Sequence, residues 1–339
     1  MSPSFGSAAV VGGGSWGTAL AIHLARGGYE VPLWVHDATR ARDMSAMREN
    51  RTYLPDFKFP EGIRVSQDLG AVLRGQDVVI WAVPARHCRE WFRTAGPFLA
   101  SSARLVIATK GIEPGTGLRM SEVAAESLGA SPRTIAALAG PGFAREVARG
   151  DPTAGVLGCP DPVEGEVLQD ALSLGPYRFY TNRDRIGVEL GGAIKNVIAL
   201  AAGVVEGLGY GSNTSAALMT RGLSEVTRLG VACGGLPSTF SGLAGMGDLV
   251  LTCTGSLSRN RTVGVQLGQG KSLQEILSGM KMVAEGVPTT SAALLLAGKT
   301  GVEMPITSSV AALLEGKISA RQALLDLMQR PLKGEDSWE

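Results

Sequence analysis

The chain has 339 residues, of which 45% are apolar and 19% charged, and its formal net charge is +1. That length favours two domains over one, and the composition excludes a disordered chain. The 32 Lys and Arg are dispersed among 31 Asp and Glu, which leaves no basic stripe for nucleic acid. The N-terminus has no basic n-region, and its first apolar run breaks at Gly12-Gly13-Gly14, unlike a signal peptide. Val197 to Val205 is the most apolar later stretch and stops at Glu206, short of the roughly 20 residues a membrane span needs. Cys88, Cys159, Cys233 and Cys253 are far apart with no Cys-x-x-Cys spacing; a reduced, cytoplasmic protein is expected. His23, His36 and His87 are equally scattered, so no metal site is expected.

Along the chain, Ala8 to Val11 reads as a short buried strand, followed by a helical pattern from Trp16 to Arg26. Val31 to Val35, Asp77 to Val83, Arg104 to Thr109 and Thr134 to Ala139 are further strand-like runs, with weaker candidates at Ala154 to Leu157 and Tyr177 to Tyr180. Short continuous apolar runs separated by helical segments predict a Rossmann-type α/β domain, its mostly parallel sheet covered on both faces. From about Arg185 the pattern changes to Ala/Leu/Gly-rich helical segments: Val188 to Glu206, Thr214 to Leu229, Ser272 to Leu277, Thr289 to Leu296, Ile306 to Leu314 and Ala320 to Met328. The expected organisation is a dinucleotide-binding domain over 1–186, an all-α domain over 187–332 and a charged tail over 333–339. A cleft between two such domains is where ligands bind.

Gly12-Gly13-Gly14-Ser15-Trp16-Gly17 matches G-x-G-x-x-G between the first strand and the first helix. Gly12 permits the tight turn, Gly14 lets backbone approach a pyrophosphate, and Gly17 allows close helix–strand packing. The free N–H groups and the helix dipole favour phosphate charge. The second strand should end near His36, which is positioned to meet the adenosine end or simply to sit at the surface. Asp37 lies where an acidic group meets ribose hydroxyls in NAD enzymes. Arg40 and Arg42 follow, and either can accept a 2′-phosphate, so NAD and NADP both stay open.

A Rossmann domain leaves the reaction undefined. Hydride reduction of a carbonyl needs a proton donor, and Lys195 sits in the apolar segment Glu189 to Leu200. A lysine there either snorkels at a helix edge or is held desolvated with a lowered pKa. Lys110 follows a strand at its carboxyl end, where ligands bind in open α/β sheets. Asp248 follows Gly245-Met246-Gly247 in neutral surroundings, as a functional carboxylate or a helix N-cap. Ser258-Arg259-Asn260-Arg261 resembles a helix start able to bind a phosphate dianion, or a solvated basic turn.

Taken together, these segments resemble the bacterial-type NAD(P)-dependent glycerol-3-phosphate dehydrogenases. The resemblance rests on residues 12–21, Ala108 to Gly111, Ile186 to Asn196, Gly245 to Thr254, Ser258 to Arg261, Val283 to Gly286 and Met304 to Ile306, in the family's order. It implies reversible reduction of dihydroxyacetone phosphate to sn-glycerol 3-phosphate, feeding glycerophospholipid synthesis, with Lys195 as proton donor and acceptor. By the same carry-over Lys110, Gly140, Gly142, Asp248, Ser258, Arg259 and Asn260 meet substrate with Lys195. Gly12, Gly14, Ser15, Trp16, Gly17, His36, Lys110, Ala144, Arg259, Val283 and Glu285 form the NAD(P)H site. The partners expected are a small phosphorylated substrate and, as an assembly the sequence leaves open, a second copy in a homodimer.

One position departs from the family. Gly140-Pro141-Gly142-Phe143-Ala144 has glycine where Ser or Thr is usual, which removes a hydroxyl near the substrate. One ordinary hydrogen bond contributes about 0.5–1.5 kcal/mol, so weaker binding with activity retained is expected. Two rival readings predict different assays. A β-hydroxyacid or 6-phosphogluconate-type dehydrogenase would act on a carboxylate substrate, whereas a non-catalytic nucleotide sensor would bind cofactor without turnover.

Overall fold

The computed structural model describes residues 6–129, 132–280, 284–332 and 334. The strands in chain order are β1 (Ala8–Val11), β2 (Val31–Trp34), β3 (Glu49–Asn50), β4 (Leu54–Lys58), β5 (Ile63–Ser66), β6 (Val78–Trp81), β7 (Arg104–Ile107), β8 (Thr134–Ala139), β9 (Thr153–Gly158) and β10 (Tyr177–Asn182). Eight of them form one sheet in the order β10-β9-β8-β7-β6-β1-β2-β5, and β3 pairs with β4 in a separate hairpin. The helices over this half are α1 (Ser15–Arg26), α2 (Ala38–Met47), α3 (Leu69–Leu73), α4 (Ala85–Ala95), α5 (Met120–Ser127), α6 (Ala144–Arg149) and α7 (Pro162–Leu172).

The strand runs read as continuously apolar because both faces of the sheet are covered. Alternation sends Ala8 and Val10 into a core with Leu20, Leu24 and Leu168. It sends Ala9 and Val11 into a second core with Phe92, Val123 and Leu73. Successive side chains point to opposite faces, and each face is buried by different helices.

Three features differ from the sequence reading. β9 runs antiparallel to β8, with Ala139 opposite Val156, whereas the other neighbours are parallel. A strand buried on both faces has the same composition in either direction, so the reversal left no trace in the apolar pattern. β2 ends at Trp34, ahead of His36. The β3–β4 hairpin and β5 were not anticipated; they are short, and β4 and β5 alternate with exposed polar side chains.

The second half is helical: α8 (Arg185–Gly207), α9 (Ser212–Ala232), α10 (Pro237–Phe240), α11 (Asp248–Thr254), α12 (Arg259–Gly268), α13 (Leu273–Ser278), α14 (Gly286–Thr300), α15 (Pro305–Leu314) and α16 (Ala320–Met328). Asp184 starts α8 by accepting from the Gly187 N–H at 2.8 Å and ties it to the Leu236 N–H at 2.7 Å. A helix apolar on every side belongs in a core. α8 is long and apolar enough to cross a membrane, yet 89% of that stretch is buried inside the protein. It crosses α12 at close range, because Cβ atoms at Gly203 and Gly264 would lie 2.1 Å from the Arg261 carbonyl oxygen and 2.0 Å from that of Leu200. That crossing brings the start of α12 next to Lys195.

Candidate active site

A cleft of about 640 Å³ runs from the Gly12–Gly14 turn past Lys110 to Lys195, Asp248 and Arg259. At one end, α1 begins at Gly14 with no side chain capping its first N–H groups. Gly12 has φ +122°, and a Cβ there would meet the Ala82 carbonyl oxygen at 2.6 Å. Gly17 lies beneath the turn, where a Cβ would be 1.9 Å from the Gly12 carbonyl oxygen. Gly14 has open space where a side chain would be. The turn is therefore packed tightly beneath and vacant above, the shape a pyrophosphate requires.

His36 lines the same cleft, with its ring 4.9 Å from that of Trp91. Asp37 is not among the residues that line the cleft. It is exposed and caps α2, accepting from the Arg40 N–H at 2.7 Å, and that bond holds its carboxyl below the ordinary value. Arg40 instead borders the cleft, its guanidinium 4.9 Å above the Tyr53 ring. The Arg40 Nε and the Trp16 indole N–H are buried without a partner among the described residues. A polar ligand that satisfies such donors recovers their desolvation cost, so these residues fit a dinucleotide.

The other end holds the reactive groups. Lys195, on α8, is 5% exposed, and Asp248, at the start of α11, is fully buried. The Lys195 amine donates to Asp248 Oδ1 and, at 2.8 Å, to the Thr252 hydroxyl. The Lys110 amine donates to Asp248 Oδ2 at 2.8 Å and to the Gly140 carbonyl at 2.9 Å. One carboxylate thus bridges two amines. Burial brings the pKa of Lys195 from 10.5 down to about 7; Asp248 opposes that shift and Lys110 adds to it. Asp248 is delivered by an irregular turn over Leu243–Gly247, where glycine at 245 is required because a Cβ would lie 2.0 Å from the Phe240 carbonyl oxygen.

The start of α12 closes the cleft. Arg259 donates to the Ser15 hydroxyl at 3.2 Å, linking the helical half to the glycine turn. Burial lowers the pKa of Arg259, and the nearby Glu285 opposes the shift. Ser258 lines the cleft, and its hydroxyl caps α12 by accepting from the Arg261 N–H at 3.3 Å. Asn260 is buried between the Asn196 side chain at 2.8 Å and the Gly286 N–H at 2.9 Å. Arg261 points elsewhere, pairing with Glu206. Gly142 and Ala144 line the cleft, as does Glu285, whose carboxyl is pushed up by burial. Gly140 stands behind it as the acceptor for Lys110. Val283 lies outside the described residues.

Two partners were missed in the sequence. Thr252 is one helical turn beyond Asp248, so its proximity was legible from spacing. Asn196 donates to the Lys110 carbonyl oxygen at 3.3 Å, joining the two halves; only its position next to Lys195 hinted at this.

A Rossmann sheet that presents a dinucleotide site to a buried lysine on a helical second half defines an NAD(P)-dependent dehydrogenase. The family model described as the NAD-dependent glycerol-3-phosphate dehydrogenase N-terminus matches residues 7–164, and that for the C-terminus matches 184–325. The chain belongs to this family. A Geobacter sp. (strain M21) glycerol-3-phosphate dehydrogenase [NAD(P)+] is 52% identical over 96% of this chain and 98% of its own length. The Acidobacterium capsulatum enzyme of the same name is 50% identical over 96% and 99%. A crystal structure of glycerol-3-phosphate dehydrogenase from Coxiella burnetii superimposes with a TM-score of 0.92 at 39% identity, covering 96% of this chain and 99% of that one.

Proposed function

We propose that the chain catalyses reversible reduction of dihydroxyacetone phosphate to sn-glycerol 3-phosphate with Lys195 as the proton donor. The supporting observation is the Lys195–Asp248–Lys110 bridge inside the cleft shared with the glycine turn. Bound NAD(P)H supplies the hydride. Lys195, with its pKa near 7, gives its proton to the C2 oxygen in reduction and recovers one from the alcohol in oxidation. Asp248 orients the amine, and Lys110 adds positive charge where negative charge develops on oxygen. Arg259, beside the α12 N-terminus, supplies a cation for the phosphate, while Ser258 and Asn260 hold that helix start in place. Gly140 acts through its hold on Lys110, and the Gly142 backbone borders the substrate.

Gly12, Gly14, Ser15, Trp16 and Gly17 shape the cofactor site at the pyrophosphate end. His36 lies at the adenosine end, with Lys110, Ala144, Arg259 and Glu285 toward the nicotinamide. We assign 1–186 to cofactor binding and 187–332 to substrate binding and proton transfer. A cytoplasmic role in glycerophospholipid supply agrees with the four unpaired cysteines. A homodimer is the proposed assembly, to be tested by sedimentation velocity.

The deciding experiment follows NADH and NADPH oxidation in parallel with dihydroxyacetone phosphate and with β-ketoacid substrates. Turnover with the phosphoester alone is expected. Turnover only with the β-ketoacids would transfer the assignment to the β-hydroxyacid dehydrogenases, and cofactor binding with no turnover would make the chain a nucleotide sensor.

A further inference from the structure

We propose that the hydroxyl of Tyr177 is a substrate hydrogen-bond donor that stands in for the hydroxyl absent at residue 142. The inference rests on the activity proposed above and concerns a residue on β10, outside every motif in the sequence.

Tyr177 is 1% exposed, and its hydroxyl is buried with no partner among the described residues. A buried donor left unpaired is costly, so it persists where something absent from the unliganded protein completes it. The ring is fixed by Phe179 at 4.2 Å and by the edge of His23 at 5.2 Å. This packing directs the hydroxyl toward the loop after β8. A Cβ on Gly142 would lie 3.6 Å from the Tyr177 oxygen and 3.3 Å from the Trp16 ring, and a Cβ on Gly155 would lie 2.9 Å from the same oxygen. Two glycines therefore clear the space around one hydroxyl. A side-chain oxygen at residue 142 would occupy the zone that the Tyr177 hydroxyl faces.

That zone borders the reactive end of the cleft. Gly142 and Trp16 both line it, and the Lys110 amine lies 5.5 Å above the Trp16 ring. Burial and the charge of Asp248 push the phenol pKa up, which keeps the group protonated as a donor. Tyr177 itself does not line the cleft, so a substrate oxygen seated against the loop reaches the hydroxyl past the residue-142 backbone, where no side chain stands in the way.

The test is steady-state kinetics of Tyr177→Phe, which deletes one oxygen and keeps the ring. The KM for dihydroxyacetone phosphate should rise about three- to tenfold, the size of one ordinary hydrogen bond. The KM for the nicotinamide cofactor should be unchanged, and the melting temperature should be unchanged or higher, because an unpaired buried polar group has gone. Adding Gly142→Ser to the Tyr177→Phe chain should bring the substrate KM back toward the wild-type value. The proposal is overturned if Tyr177→Phe has a wild-type substrate KM, if its cofactor KM rises in parallel as its melting temperature falls, or if Gly142→Ser fails to rescue. A wild-type chain inert toward dihydroxyacetone phosphate would overturn the activity itself. An active wild type matched by Tyr177→Phe would remove only the role of Tyr177.

Discussion

Replacing Lys195 with Met keeps most of the side-chain volume and removes the amine. Asp248 would still be bonded to Lys110 at 2.8 Å, so the buried carboxylate is not left without a cation. The stability cost should therefore fall below the roughly 3–5 kcal/mol of a fully broken buried ion pair. Turnover is a different matter, because the amine that gives the proton is lost. A positioned general acid contributes about 10²- to 10⁴-fold, equivalent to about 2.7–5.4 kcal/mol of transition-state stabilisation. Stopped-flow and steady-state assays of dihydroxyacetone phosphate reduction should show that loss in kcat, with cofactor affinity by fluorescence titration preserved. The pH dependence supplies a second readout. Reduction uses the protonated amine and should decline as pH rises through about 7, while oxidation uses the neutral amine and should increase over the same range; Lys195→Met should lose both limbs. The stability linkage has the opposite bearing from a surface lysine. Because the folded pKa is depressed, the unfolded chain binds more protons between about 7 and 10.5, so this group makes the fold more stable as pH rises through that window and least stable below it. If Lys195→Met kept wild-type turnover and the same pH profile, Lys195 would not be the proton donor.

Asp248→Asn leaves two amines facing each other, so the Lys195 pKa should fall further and the alkaline limb of reduction should shift to lower pH; an unmoved profile would show that the carboxylate does not tune the lysine. Thermal denaturation of the same variant should show a loss of about 3–5 kcal/mol. Arg40→Ala should raise the KM for NADPH by about tenfold or more, the worth of a charge-assisted hydrogen bond, and leave that for NADH nearly unchanged; equal shifts would argue against a 2′-phosphate at Arg40. Gly17→Ala should abolish cofactor binding or folding, since its Cβ would lie 1.9 Å from the Gly12 carbonyl oxygen; a normal titration with NADH would contradict the packing role of this glycine.

Much of the fold was legible because its signals are local. The continuous run Ala8 to Val11, the glycine turn and the change to helical spacing near Arg185 each depend on neighbours within a few residues. Lys195 was also legible, as a cation in an apolar helix, although the same sequence allowed it to snorkel. Only the packing removed that choice, by surrounding α8 on every side and delivering Asp248 and Thr252 to the amine from α11. Asp37 shows the reverse: its distance from the glycine turn matched a ribose ligand, but its carboxylate is exposed and caps α2.

What the chain determined by itself was therefore most strands of the sheet, the long helices, the glycine turn and the titratable side chains on offer, because these follow from local periodicity and side-chain chemistry. The tertiary structure alone decided the direction of β9, the bridge of Asp248 between Lys110 and Lys195, and the placement of Gly142 beside the Tyr177 hydroxyl. Those depend on contacts between residues 17 to 138 positions apart, and no local pattern encodes the distance across which two buried groups meet.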